Sequence, residues 1–226
     1  PDTGEFDEYA KLAASSEGEH WVEALCNESG RLCQGYKTYA GTNTCFFIYK
    51  HELPSGRTAT YIRLVVGDKP LKKERRRVRA TVGGDRVDYP GEVSTKTTNL
   101  TTAKILLNSV VSTPGAKFCT FGLKDFVLMT KLPRSEYARV KASLFPKHFM
   151  DLYNLWDEVS DDGYIYIRID GGMYGLPHAS RIANETLVPR LNKHGYHETG
   201  ITPGLFKHKT NSVIFCLTVD DFGVEY

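Results

Sequence analysis

The sequence contains no uninterrupted apolar run approaching the roughly 20 residues that cross a bilayer, which excludes a transmembrane helix. It lacks any CxxC pair and any secretory signal. Its five cysteines (Cys26, Cys33, Cys45, Cys119 and Cys216) are odd in number, so reduced intracellular thiols are expected, not a disulfide framework. Internal repeats and low-complexity tracts are missing, which excludes solenoids and arrays. A marked excess of either charge is missing too. With a net charge of +2, bulk charge identifies no partner and only its distribution can.

What is present suits a globular protein: 226 residues, 41% of them hydrophobic and 25% charged. One irregular unit with two lobes is expected. The chain opens on Pro1 and stops at Tyr226 in a strand-like stretch, and so reads as an excerpt of a longer polypeptide. Its polar, acidic start predicts a disordered leader over 1–18. A helix from about Glu19 follows, with Trp21, Ala24, Leu25 and Leu32 on one face.

Cys45 to Tyr49 and Ala59 to Val66, on either side of Pro54-Ser55-Gly56, predict a hairpin. Seven of the eleven residues from Lys69 to Arg79 are basic, which predicts a cationic hairpin tip before Gly83-Gly84. Thr97 to Val111 reads as a helix capped by Thr97 or Thr98, with Leu100, Ala103, Leu107 and Val110 on its apolar face. Phe118 to Leu128 is strand-like, and Ala179 to Lys193 is a helix that Pro189 should kink or split. Leu205 to His208 and Val213 to Thr218 predict a second hairpin. There Val213, Phe215 and Leu217 share one face, and Ile214, Cys216 and Thr218 the other. This order of elements predicts an α+β fold, an antiparallel sheet with flanking helices, in preference to a doubly wound parallel sheet.

Asp220 and Asp221 follow that last apolar strand at a turn. An Asp-Asp pair at a turn is ordinarily solvated turn chemistry. A tight turn can also aim both carboxylates at one point, where they can hold a divalent cation for two-metal phosphoryl transfer. Among lesser candidates, His194 and His197 lack carboxylates at ligand spacing and read as surface or capping residues. Gly83-Gly84-Asp85 reads as a turn, and the glycosylation patterns at Asn99 and Asn184 carry no meaning without secretion.

Val219-Asp220-Asp221 resembles the YVDD box of reverse transcriptases, with Thr218 where tyrosine is usual. Met173-Tyr174-Gly175-Leu176-Pro177 resembles the YGL segment of copia-type polymerases. Trp21-Val22-Glu23-Ala24, Arg77-Val78-Arg79 and Asp88-Tyr89 occur in the order of that family's WxxA, KAR and DY landmarks. From Trp21 onward the chain thus resembles the reverse transcriptase of a copia-type LTR retrotransposon, an RNA-directed DNA polymerase.

The resemblance implies a right-hand polymerase over 19–226, with fingers at approximately 45–95, a palm at approximately 96–226 ending after the acidic turn, and no thumb. It implies Mg²⁺ or Mn²⁺ at Asp220 and Asp221, with a third carboxylate on an earlier strand. Phe121-Gly122-Leu123-Lys124-Asp125-Phe126-Val127-Leu128 matches that strand's motif and puts Gly122 in place of the aspartate. Asp125 or Asp170 could substitute only from a displaced position. Asp125, Phe126, Val127 and His178 fall at nucleotide-binding positions, Val127 where an aromatic steric gate is usual and His178 where glutamine is. Arg77 and Arg79 fall on triphosphate contacts. Lys69, Lys72, Lys73, Arg75 and Arg76 would bind nucleic-acid backbone.

The implied partners are an RNA or DNA template-primer, deoxynucleoside triphosphates, and integrase and ribonuclease H segments in a cytoplasmic particle, with no membrane. Gly122 implies a copy with impaired catalysis. The alternative is a non-catalytic nucleic-acid-binding remnant.

Overall fold

The computed structural model describes residues 8–226 and is a mixed α+β protein with one antiparallel sheet, one mixed sheet and a small two-stranded ribbon. In chain order the elements begin with helices α1 (Tyr9–Ala13) and α2 (Gly18–Leu32) and strands β1 (Gly35–Tyr36), β2 (Tyr39–Ala40), β3 (Cys45–Ile48), β4 (Thr60–Asp68) and β5 (Arg76–Val82). Next come α3 (Leu100–Ser112), β6 (Phe118–Gly122), α4 (Phe126–Met129), β7 (Lys131–Lys141), α5 (Lys147–Leu152) and β8 (Tyr164–Gly171). The chain finishes with α6 (Ala179–Lys193), β9 (Tyr196–Glu198), β10 (Leu205–His208), β11 (Ile214–Thr218) and β12 (Asp221–Glu225). It divides into two compact units. The first runs to Asp88 and resumes over Lys131–Pro177; the second comprises Tyr89–Thr130 and His178–Tyr226. Residues 131–177, expected within the palm, therefore belong with the segment expected to hold the fingers.

The leader expected over 1–18 falls partly on residues 1–7, outside the described residues. From Tyr9, which is buried, the chain is already helical. In the first unit the sheet order is β3-β8-β7-β4-β5, with β4 parallel to β7 and the other pairs antiparallel. Helix α2 buries Trp21, Ala24, Leu25 and Leu32, as its periodicity predicts, and packs on β5. Val78, Ala80 and Val82 are the buried residues of β5, so alternation turns Arg77 and Arg79 to its other side.

The hairpin expected between Cys45–Tyr49 and Ala59–Val66 does not form. β3 pairs with β8, Cys45 opposite Ile169, while β4 pairs with β5 and β7. A 3₁₀ turn at Lys50–Glu52, followed by Pro54, redirects the chain between them. β7 bulges between Lys131 and Glu136, around Pro133, which has no N–H to give the ladder. Buried Glu136 is neutralised by Arg57 at 2.7 Å and Arg134 at 2.9 Å.

Two glycines join distant motifs. The Val82 N–H donates to the Tyr174 carbonyl at 2.7 Å, and a Cβ on Gly84 would lie 2.1 Å from the Gly175 carbonyl oxygen. Gly175 has φ +92, and its own Cβ would meet the Val82 oxygen at 2.1 Å. Only glycine permits this approach at that φ.

In the second unit the sheet order is β6-β12-β11-β10-β9, antiparallel throughout. Phe206, Phe215, Leu217, Phe222 and Val224 form its core with Leu187 of α6, and Val213 packs against them. The predicted face of the terminal hairpin is thus the buried one. α6 continues through Pro189, which like Glu185 is exposed, so water can serve the carbonyl that proline leaves without a donor.

α3 is capped by Asn99, whose side chain accepts from the Thr102 N–H at 2.8 Å, and not by Thr97 or Thr98. Its buried residues are Thr102 and Leu106, whereas Leu100 is 70% and Leu107 47% exposed. The helix is rotated from the expected face because Thr98 is bound to Leu217 and Gly204, and Ser109 to Glu225. β6 stops at Gly122, short of the strand expected to Leu128, because Asp125 turns left-handed at φ 53 and starts α4.

Gly175→Ala is expected to destabilise the protein by at least about 2 kcal/mol, read from the urea midpoint at constant slope. A loss under about 0.5 kcal/mol would mean that the two segments do not pack backbone to backbone.

Candidate functional site

In the second unit, β11 and β12 are joined by a two-residue turn, Val219-Asp220, with Thr218 opposite Asp221. β12 lies in turn against β6, where Asp221 is directly opposite Gly122. The Leu123 N–H donates to the Asp220 carbonyl at 2.9 Å, tying the turn to the end of β6. One rung across three strands therefore reads Thr218, Asp221, Gly122. Alternation puts these residues on the face opposite the Phe215, Leu217 and Phe222 core.

A side chain at position 122 would begin beside the acidic pair. Its Cβ would be 2.8 Å from Asp221 Oδ1 and 3.8 Å from the Asp220 carbonyl oxygen. The close atom belongs to an exposed carboxylate that can rotate away. An open cleft of about 470 Å³ adjoins this rung, lined by Thr120, Gly122, Thr218, Asp221 and Gly223, with Ala103 of α3 beside it.

The turn is strained. Val219 has φ 59, a region that a β-branched residue occupies only where the surrounding structure imposes it. The hairpin register on one side and the Leu123 bond on the other impose it here.

Among the described residues, no three His, Cys, Asp or Glu side chains form a group that could hold a metal ion. Asp220 and Asp221 are two adjacent carboxylates, and Gly122, at the facing position, supplies none. The residues present therefore do not make up a three-carboxylate metal set.

The other expected nucleotide positions are scattered over the second unit. Asp125 is the left-handed residue before α4, Val127 is half-buried in that helix, and Phe126 packs on the Phe206 and Phe215 core. His178 is buried, its ring stacked on Tyr89 at 3.9 Å and 5° between planes. The sequence had marked Asp88-Tyr89 and His178 separately and gave no sign that the rings meet. Asp170 lies in the first unit, where it accepts from Ser135 at 2.8 Å and pairs with Arg168 at 3.0 Å.

In the first unit, β4 and β5 form the cationic hairpin, with Gly67 opposite Arg77 and Val65 opposite Arg79. Lys69, Lys72 and Lys73 are exposed at its tip. Arg75 and Arg76 are engaged internally. Arg75 meets Asp68 at 3.0 Å. Arg76 meets Asp68 at 2.7 Å, also pairs with Glu17, and lies over the Trp21 ring at 5.5 Å. Arg75, followed by Arg76, holds the Asp68 carboxyl below the usual carboxylate range. Arg79 lies over the Tyr174 ring at 5.2 Å. All five cysteines are free thiols, and burial pushes those of Cys26, Cys33 and Cys45 upward. Among the described residues, no helix is long and apolar enough to cross a membrane.

Val219→Asn is expected to stabilise the protein by about 1 kcal/mol, because asparagine tolerates the left-handed region that valine resists. Val219→Ile, equally branched, should bring no gain. Equal urea midpoints for the Asn and Ile variants would show that the turn stores no strain.

No family model, curated protein or solved structure matches this chain.

Proposed function

We propose that this chain is the fingers-and-palm portion of a copia-type reverse transcriptase whose nucleotidyl transfer is impaired by Gly122. One observation carries the proposal. The residue that the resemblance equates with the missing aspartate lies cross-strand from Asp221, with its Cβ position 2.8 Å from that carboxylate. The resemblance implies that these two segments, about a hundred residues apart, converge on one metal set, and their cross-strand pairing supports the reading.

In an intact site, Mg²⁺ or Mn²⁺ would activate the primer 3′-hydroxyl and stabilise the leaving oxygen. The carboxylates of Asp220 and Asp221 would provide two of the three ligand positions, with template-primer and deoxynucleoside triphosphate as substrates. Integrase and ribonuclease H segments and a cytoplasmic particle belong to the same proposal. Loss of a shared ligand should cost several kcal/mol of transition-state stabilisation, at least roughly a thousandfold in rate.

Primer extension with Mn²⁺ and direct Mn²⁺ titration test this together. Gly122→Asp is expected to bind Mn²⁺ at least roughly tenfold more tightly than the parent and to extend primers at least roughly a thousandfold faster. Unchanged Mn²⁺ affinity with no extension would overturn the assignment of Gly122.

A second reading, a nucleic-acid-binding remnant without catalysis, is favoured by the basic residues that remain exposed on the hairpin. It requires a primer-template affinity that falls steeply with salt and does not change with Asp220→Asn. A salt-independent affinity would remove it.

A further inference from the structure

Two cysteines and a methionine meet beneath α2 in the first unit, and backbone hydrogen bonds bring them there. The Thr42 N–H donates to the Arg31 carbonyl at 2.8 Å, that of Asn43 to Cys33 at 3.0 Å and that of Thr44 to Leu32 at 2.9 Å. The segment entering β3 therefore runs back along the end of α2. The Gln34 side chain donates to the Cys45 carbonyl at 2.9 Å, and the Thr44 carbonyl accepts from the N–H of Asp170 at 2.9 Å and of Gly171 at 3.2 Å. The end of α2, the start of β3 and the segment after β8 are thus clamped around Cys33, Cys45 and Met173.

Each of these three residues is only 2% exposed. Cys45 Sγ donates to Met173 Sδ at 3.6 Å, and all three line one cavity of about 30 Å³ whose other walls are apolar side chains and Ser29. That is room for a single small guest. Water suits it poorly, because a buried water needs two to four polar partners and thiol and thioether sulfurs are weak ones. The same sulfurs are good ligands for a soft ion. The surroundings favour a cation. Burial raises the thiols of Cys33 and Cys45, and at Cys45 the Cys33 sulfur and the carboxylates of Asp170 and Glu28 raise it further, so negative charge already acts on the cavity.

We infer that Cys33, Cys45 and Met173 form a binding site for one soft monovalent cation of the Cu(I) class, held by two cysteine sulfurs and a thioether. Its donors are unlike the carboxylates of the acidic turn, and neither proposal depends on the other. A hard ion such as Mg²⁺ would find only the Ser29 hydroxyl in the cavity wall, and Zn²⁺ would lack a fourth strong donor. The ion enters in exchange for thiol protons, which pass to solvent. Once bound, it ties three segments of the first unit to a single atom.

Anaerobic titration of the reduced whole chain with Cu(I), in competition with the chelator bathocuproine disulfonate, tests the inference, and X-ray absorption at the copper edge identifies the ligands. The parent is expected to bind one equivalent with sulfur-only coordination, and its urea midpoint should rise because the ion binds the folded chain. Cys33→Ala and Cys45→Ala should each weaken binding at least roughly a hundredfold, and Met173→Leu, which conserves volume, roughly tenfold. Cys119→Ser, in the second unit and only half-buried, should stay within about twofold.

A parent that yields all its Cu(I) to the chelator would show that the three sulfurs only pack together, and would overturn the site. Nitrogen or oxygen scattering in place of sulfur would overturn it too. An equal loss in Cys119→Ser would show adventitious binding by an accessible thiol, with the same consequence. Where an alanine variant does not regain the circular dichroism of the parent, Met173→Leu decides: a loss supports the three-sulfur site, and an unchanged affinity overturns it.

Discussion

The second unit depends on the register of three antiparallel strands, β11, β12 and β6. Because side chains alternate across a sheet, this register alone places Phe215, Leu217, Phe222 and Val224 in the core and Thr218, Asp221 and Gly122 on the opposite face. A slip of one residue would drive Asp221 into the apolar cluster and expose Phe222, at a cost no hairpin could bear. The tight turn at Val219-Asp220 and the Leu123 bond to the Asp220 carbonyl fix the register at its open end. The left-handed valine is the local cost of that closure, and the buried aromatics offset it.

The same parity governs the first unit, with charge in place of an acid turn. Burial of Val78, Ala80 and Val82 under α2 decides which side of β5 the arginines occupy, and the one arginine on the buried side, Arg76, is tolerated because Asp68, Glu17 and the Trp21 ring receive it. The sequence resemblance groups Arg75 and Arg76 with Lys69, Lys72 and Lys73 as nucleic-acid-binding residues. Geometry separates them: Arg76 meets both Asp68 and Glu17 and Arg75 meets Asp68, whereas Lys69, Lys72 and Lys73 stand exposed at the tip.

What could be read in the sequence followed the range of the interaction that decides it. The faces of the terminal hairpin, the extent of α6 and the packing of α2 are local, and alternation or helical spacing was enough for each. The partner of β3 was not local, since Cys45 pairs with Ile169 across more than a hundred residues, and the nearer β4 made a false hairpin plausible. β7 escaped notice because Lys131–Lys141 carries charges and a proline where a strand normally shows an apolar alternation, and only the two arginines on buried Glu136 make that composition tolerable. The face of α3 could not be read because it is set by bonds from Thr98 and Ser109 to the sheet, not by its own hydrophobic pattern. The two acids and the glycine of the candidate site were visible as separate motifs, and their adjacency was implied only by the resemblance.

That adjacency also gives glycine at position 122 a physical meaning of its own. A carboxylate at that position would start within 3 Å of Asp221 Oδ1, and unit charges 4 Å apart repel by about 1 kcal/mol in water and about 4 kcal/mol where screening is partial. A three-carboxylate cluster would therefore be a liability to the folded chain unless a cation compensated it, and glycine at position 122 avoids the repulsion while keeping the strand pairing. Glycine at position 122 also leaves the cleft floor beside Asp221 open. Stability and the proposed chemistry make opposite demands at this one rung. The strained turn and the acid pair persist because the register that holds them is the register of the core.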